Sequence, residues 1–207
     1  MKIILENTSK RFTREWIFKN INLTLEKGNA YAVTGPNGSG KSTLLQVISG
    51  FIPPTHGKIL YLDDQQKSIE AEDFYQYISS ATPALELIED FTLKECLQFH
   101  FNFKKLVNGK TIKDLILEMD LLHAVDRQIR YFSSGMRQRV KLATCFFADV
   151  PVMMLDEPTT NLDAAGVGWY EKMLESNLDQ KIVLICSNLE REFRLCNRVI
   201  NMSDYKK

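Results

Sequence analysis

The sequence lacks any long apolar run. No stretch approaches the ~20 consecutive apolar residues that a helix needs to cross a bilayer. The first residues, MKIILENTSKRF, have neither the apolar centre nor the small-residue cleavage pattern of a signal peptide. If the protein acts at a membrane, we therefore expect a separate chain to supply the membrane-spanning part.

An excess of charge of one sign is also missing. Lysine and arginine together number 26, aspartate and glutamate together number 26, and the formal net charge is zero. Nucleic acids and anionic membranes attract proteins largely through an excess of positive charge. The bulk charge therefore gives no support to such partners, and we predict that the protein does not bind nucleic acid.

Cysteine and histidine are few and scattered. The four cysteines contain no C-x-x-C pair, and no histidine lies at metal-ligand spacing from them. We predict reduced, mostly buried thiols in a cytosolic protein, and structural or surface roles for the histidines. The residues concerned are Cys96, Cys145, Cys186, Cys196, His56, His100 and His123.

What is present is an alternation of strand and helix patterns in a chain of 207 residues, 44% hydrophobic and 25% charged. Short apolar or alternating runs predict strands, and apolar residues at helical spacing predict helices. Predicted strands are 20–26, 30–34, 58–62, 152–155, 182–186 and 198–201; predicted helices begin after residue 42 and cover 92–103, 111–119, 134–147 and 164–177. Such alternation is typical of an α/β fold with a parallel sheet.

The segment Gly35–Ser42, GPNGSGKS, fits the P-loop pattern G-x-x-x-x-G-K-[ST] between a predicted strand and a predicted helix. Glycines allow main-chain N–H groups to turn inward around a phosphate, and the helix presents its positive end. Lys41 can reach the β- and γ-phosphates of a nucleotide, and the Ser42 hydroxyl can bind Mg²⁺. We predict ATP as the ligand.

The strand Val152–Leu155 ends in two carboxylates, Asp156 and Glu157. In a protein that also has a P-loop, we expect the two carboxylates to have different roles. We predict that Asp156 holds Mg²⁺ together with Ser42, either directly or through a water molecule. We predict that Glu157 acts as the general base on the attacking water, with Lys41 as the second catalytic group.

Two further motifs resemble a known family. Phe132–Arg139, FSSGMRQR, is similar to the signature L-S-G-G-Q-x-Q-R of ATP-binding cassette (ABC) ATPases, and Asp156–Asp163, DEPTTNLD, resembles their run D-E-P-T-x-x-L-D. Over nearly its whole length the chain looks like the nucleotide-binding domain of an ABC transporter.

The resemblance implies one domain over residues 1–207. Its core is a P-loop NTPase, RecA-like and mostly parallel, covering about 1–83 and 146–207, with an antiparallel β subdomain; a helical lobe covers about 84–145. It also implies a head-to-tail dimer with itself or another cassette, a separate transmembrane permease, and a place on the cytoplasmic face of the membrane.

By the same resemblance, Ser133 and Gly135 hold the ATP of the other subunit, and Asp163 lies at the dimer seam. Phe12 stacks on adenine, although Trp16 is close by and Phe12 could instead belong to the core. The expected nucleotide-binding residues of the loop are Gly35, Pro36, Asn37, Gly38, Ser39, Gly40, Lys41, Ser42 and Thr43.

Two positions depart from the family pattern. Pro83 stands where a glutamine is usual, and Ser187, followed by Asn188, stands where a histidine is usual. Proline has no donor, and serine cannot change charge near neutral pH. We predict that Ser187 still contacts the nucleotide and that hydrolysis persists but is slow.

Three functions remain open at this point. The first is the energising subunit of a membrane transporter. The second is a nucleotide-dependent dimerising switch with slow hydrolysis and no transport role, which the two departures favour. The third is a nucleic-acid ATPase, against which the zero net charge argues.

Overall fold

The computed structural model describes residues 1–206. Within that range the strands are β1 (Lys2–Phe12), β2 (Glu15–Glu26), β3 (Ala30–Thr34), β4 (His56–Leu62), β5 (Ser68–Ile69), β6 (Ile78–Ala81), β7 (Val152–Asp156), β8 (Ile182–Cys186) and β9 (Arg198–Asn201). The helices are α1 (Lys41–Ile48), α2 (Leu93–Phe103), α3 (Ile112–Glu118), α4 (Ser134–Phe146), α5 (Ala164–Glu175) and α6 (Glu190–Phe193).

Five strands form a parallel sheet in the order β6-β7-β8-β3-β9. Every residue of β7 and of β8 is buried. Parallel sheets bury both faces beneath crossover helices, and their central strands therefore read as continuous apolar runs. The predicted parallel α/β sheet is thus confirmed.

The two faces of this sheet belong to two hydrophobic cores. Met153 and Leu155 of β7 lie in the core that also contains the apolar sides of α2, α3 and α4. Val152 and Met154 lie on the opposite face, in the core shared with α1 and the strands β1, β2 and β4. Successive side chains of a strand point to opposite faces, so each short strand contributes to both cores.

A second, antiparallel sheet has the order β2-β1-β4-β5. Strand β1 is central in it, paired with β2 on one side and with β4 on the other. Ile3 and Leu5 point into the core shared with α1. The antiparallel sheet was expected from the family resemblance, whereas no sequence pattern had marked residues 2–12 as a strand.

The segment between β6 and β7 is mostly helical, as predicted. Thr92 caps α2 in a capping box with Glu95, so the predicted start of this helix is confirmed. The last helix of the segment, α4, packs on the sheet, and the Ser79 hydroxyl of β6 donates to the carbonyl of Cys145 at 3.0 Å. The boundary of the lobe at 84–145 stays a prediction. No helix within residues 1–206 is long and apolar enough to cross a bilayer.

Candidate functional site

The predicted phosphate loop joins β3 to α1 at the carboxyl edge of the parallel sheet. At two positions of the loop, glycine is the residue that the main-chain conformation and the close neighbours allow. Gly40, which precedes α1, has a φ of 99°, and an added Cβ would lie 2.4 Å from Cγ2 of Ile17. Gly35 has a φ of 139°, and its Cβ would lie 2.8 Å from the Ser39 hydroxyl oxygen. The conformation of the loop therefore depends on glycine at these two positions.

Lys41 is the first residue of α1, and its side chain is folded across the loop. The ammonium group donates to the carbonyl of Gly35 at 2.8 Å and faces the carbonyl of Pro36 at 3.4 Å. The residue is only 7% exposed, and it takes part in no ion pair within residues 1–206. A buried ammonium held only by carbonyl oxygens favours an incoming anion. The Ser39 hydroxyl, also buried, has no hydrogen-bond partner among the described residues.

Asp156 ends β7 beside this ammonium group. Burial raises the pKa of the Asp156 carboxyl; the Glu157 carboxylate raises it as well, while the Ser42 hydroxyl and the Lys41 ammonium lower it. Lys41, Ser42 and Asp156, predicted from two distant motifs, therefore lie in one site. A buried carboxylate next to a hydroxyl suits Mg²⁺, which usually takes one or two carboxylates and completes its shell with water and substrate phosphates.

Glu157 follows directly in an unusual main-chain conformation. Its φ is 48°, its side chain is exposed, and its N–H donates to the carbonyl of Cys186 at 2.9 Å. A non-glycine residue in this region costs on the order of 1–3 kcal/mol and persists only where its surroundings hold it. Such strain commonly occurs at functional residues, which agrees with the catalytic role predicted for Glu157.

The signature segment forms the start of α4. The Ser133 hydroxyl caps this helix by accepting from the N–H of Met136 at 3.2 Å. A Cβ added to Gly135 would lie 2.8 Å from the carbonyl oxygen of Asn161. The close main-chain approach that Gly135 permits is therefore to a loop of the same chain. Contact of Ser133 and Gly135 with a second nucleotide stays a prediction.

Asp163 closes that loop and caps α5. Its carboxylate accepts from the N–H of Gly166 at 2.8 Å and from Arg139 at 3.1 Å. Both contacts, the Gly166 N–H first, hold the pKa of the Asp163 carboxyl below its ordinary value. Asp163 thus has a structural role within the chain, besides the predicted place at a dimer seam.

Comparison with known proteins settles the family. A family model described as "ABC transporter" matches residues 18–160. The chain belongs to the ABC transporter family. It is 30% identical over 200 residues to the uncharacterised ABC transporter ATP-binding protein YybJ of Bacillus subtilis (strain 168), covering 95% of this chain and 90% of that protein.

A second relative and two solved structures agree with this assignment. The lantibiotic transport ATP-binding protein SrtF of Streptococcus pyogenes is 28% identical over 189 residues, which cover 89% of this chain and 78% of that protein. A putative ABC transporter ATP-binding protein from Pyrococcus furiosus superimposes with a TM-score of 0.84 at 24% identity over 100% of both chains.

The ABC transporter cassette MJ0796, solved as a dimer, superimposes with a TM-score of 0.81 at 24% identity, over 96% of this chain and 93% of that one. These similarities confirm the predicted fold, a P-loop α/β core with an antiparallel sheet and additional helices.

The first departure from the ABC pattern, Pro83, does lie at the site. A cleft of about 690 Å³ is lined by Ser42, Gln46, Asp156 and Pro83, among others. The Pro83 carbonyl faces the Lys141 ammonium at 3.4 Å. The ring brings no polar group to the cleft, and the absence of the glutamine that is usual in the family stays a prediction.

At the second departure, Ser187 and the adjacent Asn188 lie in different surroundings. Ser187 is only 1% exposed, and its hydroxyl accepts from the N–H of Leu189 at 2.8 Å within its own turn. The exposed Asn188 donates from its side-chain amide to the side-chain oxygen of Asn37 in the phosphate loop at 3.2 Å. Asn188 is therefore a candidate nucleotide-binding residue beside Ser187, whose own contact with the nucleotide stays a prediction. The sequence contained a signal for Asn188, because it is a polar residue just past a buried parallel strand.

Phe12 ends β1 and is 46% exposed, with the Lys10 ammonium 5.0 Å from its ring centroid. Trp16, opposite Arg11 in the strand register, packs against the Arg11 guanidinium at 5.1 Å and the His56 ring at 5.6 Å. The Lys10 ammonium covers one face of the half-exposed Phe12 ring, and contact of the ring with adenine stays a prediction.

Proposed function

We propose that this chain binds Mg²⁺ and ATP at Gly35–Ser42 and hydrolyses the ATP as the energising subunit of an ABC transporter whose permease is a separate chain. The observation that carries the proposal is the meeting of the Lys41 ammonium, the Ser42 hydroxyl and the Asp156 carboxylate at one edge of the parallel sheet. Few ligands other than a nucleoside triphosphate with its cation match that combination of groups.

Binding begins with an exchange of partners at Lys41. The ammonium group leaves the carbonyl of Gly35 for the β- and γ-phosphate oxygens, which are stronger acceptors because they are charged. The main-chain amides of the loop and the first turn of α1, including Ser42 and Thr43, complete the phosphate cradle. Phe12 stacks on the adenine ring.

Hydrolysis then depends on positioned charge. Glu157 accepts a proton from the attacking water, and Lys41 stabilises the negative charge that develops on the transferring phosphoryl group. Mg²⁺ at Ser42 and Asp156 neutralises phosphate charge when it is bound. Because the Pro83 and Ser187 side chains offer no group that orients the water, we expect turnover to be slow.

The wider assembly follows from the family. Ser133 and Gly135 face the nucleotide of a second cassette in a head-to-tail dimer, and the dimeric MJ0796 cassette supports such pairing. SrtF is named for lantibiotic transport, which supports a transport role with a permease at the cytoplasmic face of the membrane. We propose no nucleic-acid partner.

The test is phosphate release by the purified protein with Mg²⁺ and ATP, alone and together with its permease. Glu157→Gln should lower kcat by about 10²-fold or more, because a positioned general base contributes ~10²–10⁴, and nucleotide binding measured by calorimetry should persist. Lys41→Ala should weaken that binding. Glu175→Gln, an exposed carboxylate at the end of α5, is the matched control.

Three outcomes would count against parts of the proposal. Unchanged turnover in Glu157→Gln would remove Glu157 as the base. Absence of nucleotide uptake by the wild-type protein would end the whole proposal. ATP-dependent dimers that hydrolyse ATP, yet neither bind nor respond to a permease, would favour the dimerising switch without transport.

A further inference from the structure

A buried carboxylate, Glu192, lies behind the loop that carries Glu157. The residue is 1% exposed and belongs to the short helix α6. Its Oε1 accepts from the main-chain N–H of Thr159 at 2.9 Å and from the Thr159 hydroxyl in a short hydrogen bond. Its Oε2 is buried and has no hydrogen-bond partner among residues 1–206.

The main chain of Glu192 is held as firmly as its side chain. The hydroxyl of Tyr170, a fully buried residue of α5, donates to the carbonyl of Glu192 at 2.7 Å. The N–H of Glu192 donates to the carbonyl of Leu189 at 2.9 Å. The carboxylate is thus fixed between α5 and the end of β7 and has little freedom to reach water.

Thr159 and Glu157 belong to one tight turn. The N–H of Thr160 donates to the carbonyl of Glu157 at 3.2 Å, and the N–H of Glu157 donates to the carbonyl of Cys186. Cys186 therefore holds one end of the turn, and Glu192 holds the other through Thr159. Between these two supports Glu157 keeps its positive φ of 48°.

Packing alone does not explain a carboxylate at this place. Moving a carboxylate out of water carries a large free-energy cost, and one oxygen of Glu192 has no hydrogen-bond partner among residues 1–206. An apolar side chain would fill the space without that cost. A buried charge that makes two charge-assisted hydrogen bonds to one residue is well suited to fix a main-chain position.

We infer that Glu192 is a positioning residue for Glu157: through Thr159 it holds the turn that places the Glu157 carboxylate against the attacking water. The inference rests on the proposed ATP hydrolysis. Glu157 acts on the water and not on nucleotide affinity, so loss of Glu192 lowers kcat and leaves KM for ATP nearly unchanged. A misplacement of ~1 Å at a catalytic group can cost about 10²-fold in rate.

The first measurement compares three variants in steady-state phosphate release. Glu192→Ala should lower kcat by at least about tenfold, with KM within about twofold of the wild type. Glu192→Gln keeps an acceptor for both Thr159 donors and should recover most of the lost rate. Glu190→Ala, an exposed acid on the same helix, should behave like the wild type.

The second measurement is amide hydrogen exchange across residues 157–163 of the nucleotide-free protein, and it does not depend on activity. Exchange of the Thr159 amide should be faster in Glu192→Ala than in the wild type and Glu192→Gln. Thr159→Val, which removes only the hydroxyl donor, should lower kcat a few-fold and serves if Glu192→Ala does not fold.

Slow Thr159 exchange in a folded Glu192→Ala protein, or wild-type kcat in Glu192→Ala or in Thr159→Val, would overturn the inference. A loss of ATP affinity with kcat retained would also overturn it. If the wild type itself binds ATP and releases no phosphate, the proposed hydrolysis fails, and the exchange data still decide whether Glu192 holds the turn.

Discussion

The side-chain amide of Asn188 donates a hydrogen bond to the side-chain oxygen of Asn37 at 3.2 Å. This contact joins the segment after β8 to the phosphate loop, across 151 positions of sequence. Ser187, one residue earlier, points its hydroxyl into its own turn. Asn188 is therefore the residue of this segment whose side chain contacts the phosphate loop.

We predict that Asn188→Ala raises KM for ATP by about 2–10-fold, the range that corresponds to one ordinary hydrogen bond of ~0.5–1.5 kcal/mol. The matched variant is Ser187→Ala. It leaves the Leu189 N–H without its acceptor, so it should lower the free energy of unfolding by ~1 kcal/mol. It should raise KM less than Asn188→Ala does, because the Ser187 hydroxyl is engaged within its own turn. Steady-state kinetics and urea unfolding of both variants give the comparison. A KM effect in Ser187→Ala alone would reverse the assignment.

Pro83 offers a gain-of-function test. It lines the cleft beside Ser42 and Asp156, and the turn at Thr82 is closed by a hydrogen bond from the N–H of Leu85 at 3.1 Å, which does not involve proline. Glutamine can therefore replace Pro83 without loss of that bond, and its amide can orient the attacking water. We predict that Pro83→Gln raises kcat several-fold in phosphate-release assays.

The control for this variant is Glu86→Gln, which places the same amide three residues further along the loop, at an exposed position that does not line the cleft. It should leave kcat unchanged. Equal rates for Pro83→Gln and the wild type would mean that the missing glutamine does not limit turnover.

Local patterns carried most of the prediction of the fold. The capping box at Thr92 and the short apolar runs of β7 and β8 are legible because their physical causes lie within a few residues. Strand β1 was not predicted, although its partner β2 follows directly in the sequence. Its pairing with β2 shifts register between Leu5 and Thr8, and beyond that point the alternation of buried and exposed residues is lost. A strand without regular alternation leaves a weak local signal.

The residues of the candidate site were likewise predicted only in part. Lys41 and Asp156 were predicted to share a site because each belongs to a recognisable motif, and the structure places them together. Glu192 and Asn188 were not singled out. The importance of Glu192 comes from its contact with Thr159, which no spacing along the sequence indicates. The contact of Asn188 with Asn37 did have a sequence signal, because Asn188 is a polar residue just past a buried parallel strand.

Two glycines give opposite predictions for stability. Gly135→Ala places a Cβ 2.8 Å from the Asn161 carbonyl oxygen, a main-chain atom, and should lower the free energy of unfolding by ~1–3 kcal/mol. Gly168→Ala meets nothing within 4 Å inside α5 and should raise it by ~0.5–1 kcal/mol, because alanine is the better helix former.

Thermal unfolding of both glycine variants without nucleotide is the measurement, since a contact with a partner's ATP cannot contribute under that condition. A Gly135→Ala protein as stable as the wild type would show that the Asn161 loop adjusts freely. The close approach would then matter only for the second nucleotide.

We expect the buried Asp156 carboxyl to lower the free energy of unfolding of the nucleotide-free protein. Burial raises the pKa of its carboxyl above the ordinary value for aspartate. A folded-state pKa above the unfolded one means that the folded protein binds the proton more tightly. The free energy of unfolding therefore falls as pH rises from about 3.9 through the raised pKa, and the whole loss is present above that pKa.

Asp156→Asn removes that loss, so at pH 7 and without nucleotide we predict an unfolding free energy higher by ~0.5–2 kcal/mol, the range usual for a single stabilising substitution. The difference in unfolding free energy between the variant and the wild type should narrow as pH is lowered toward about 3.9, where the wild-type carboxyl also becomes neutral.

Mg²⁺ with ATP should raise the Tm of the wild type far more than that of Asp156→Asn, because the carboxylate is the proposed metal ligand. Asp179→Asn, at an exposed position, should change neither quantity. A destabilised Asp156→Asn protein would mean that the Ser42 hydroxyl and the Lys41 ammonium stabilise the ionised carboxylate more than burial penalises it.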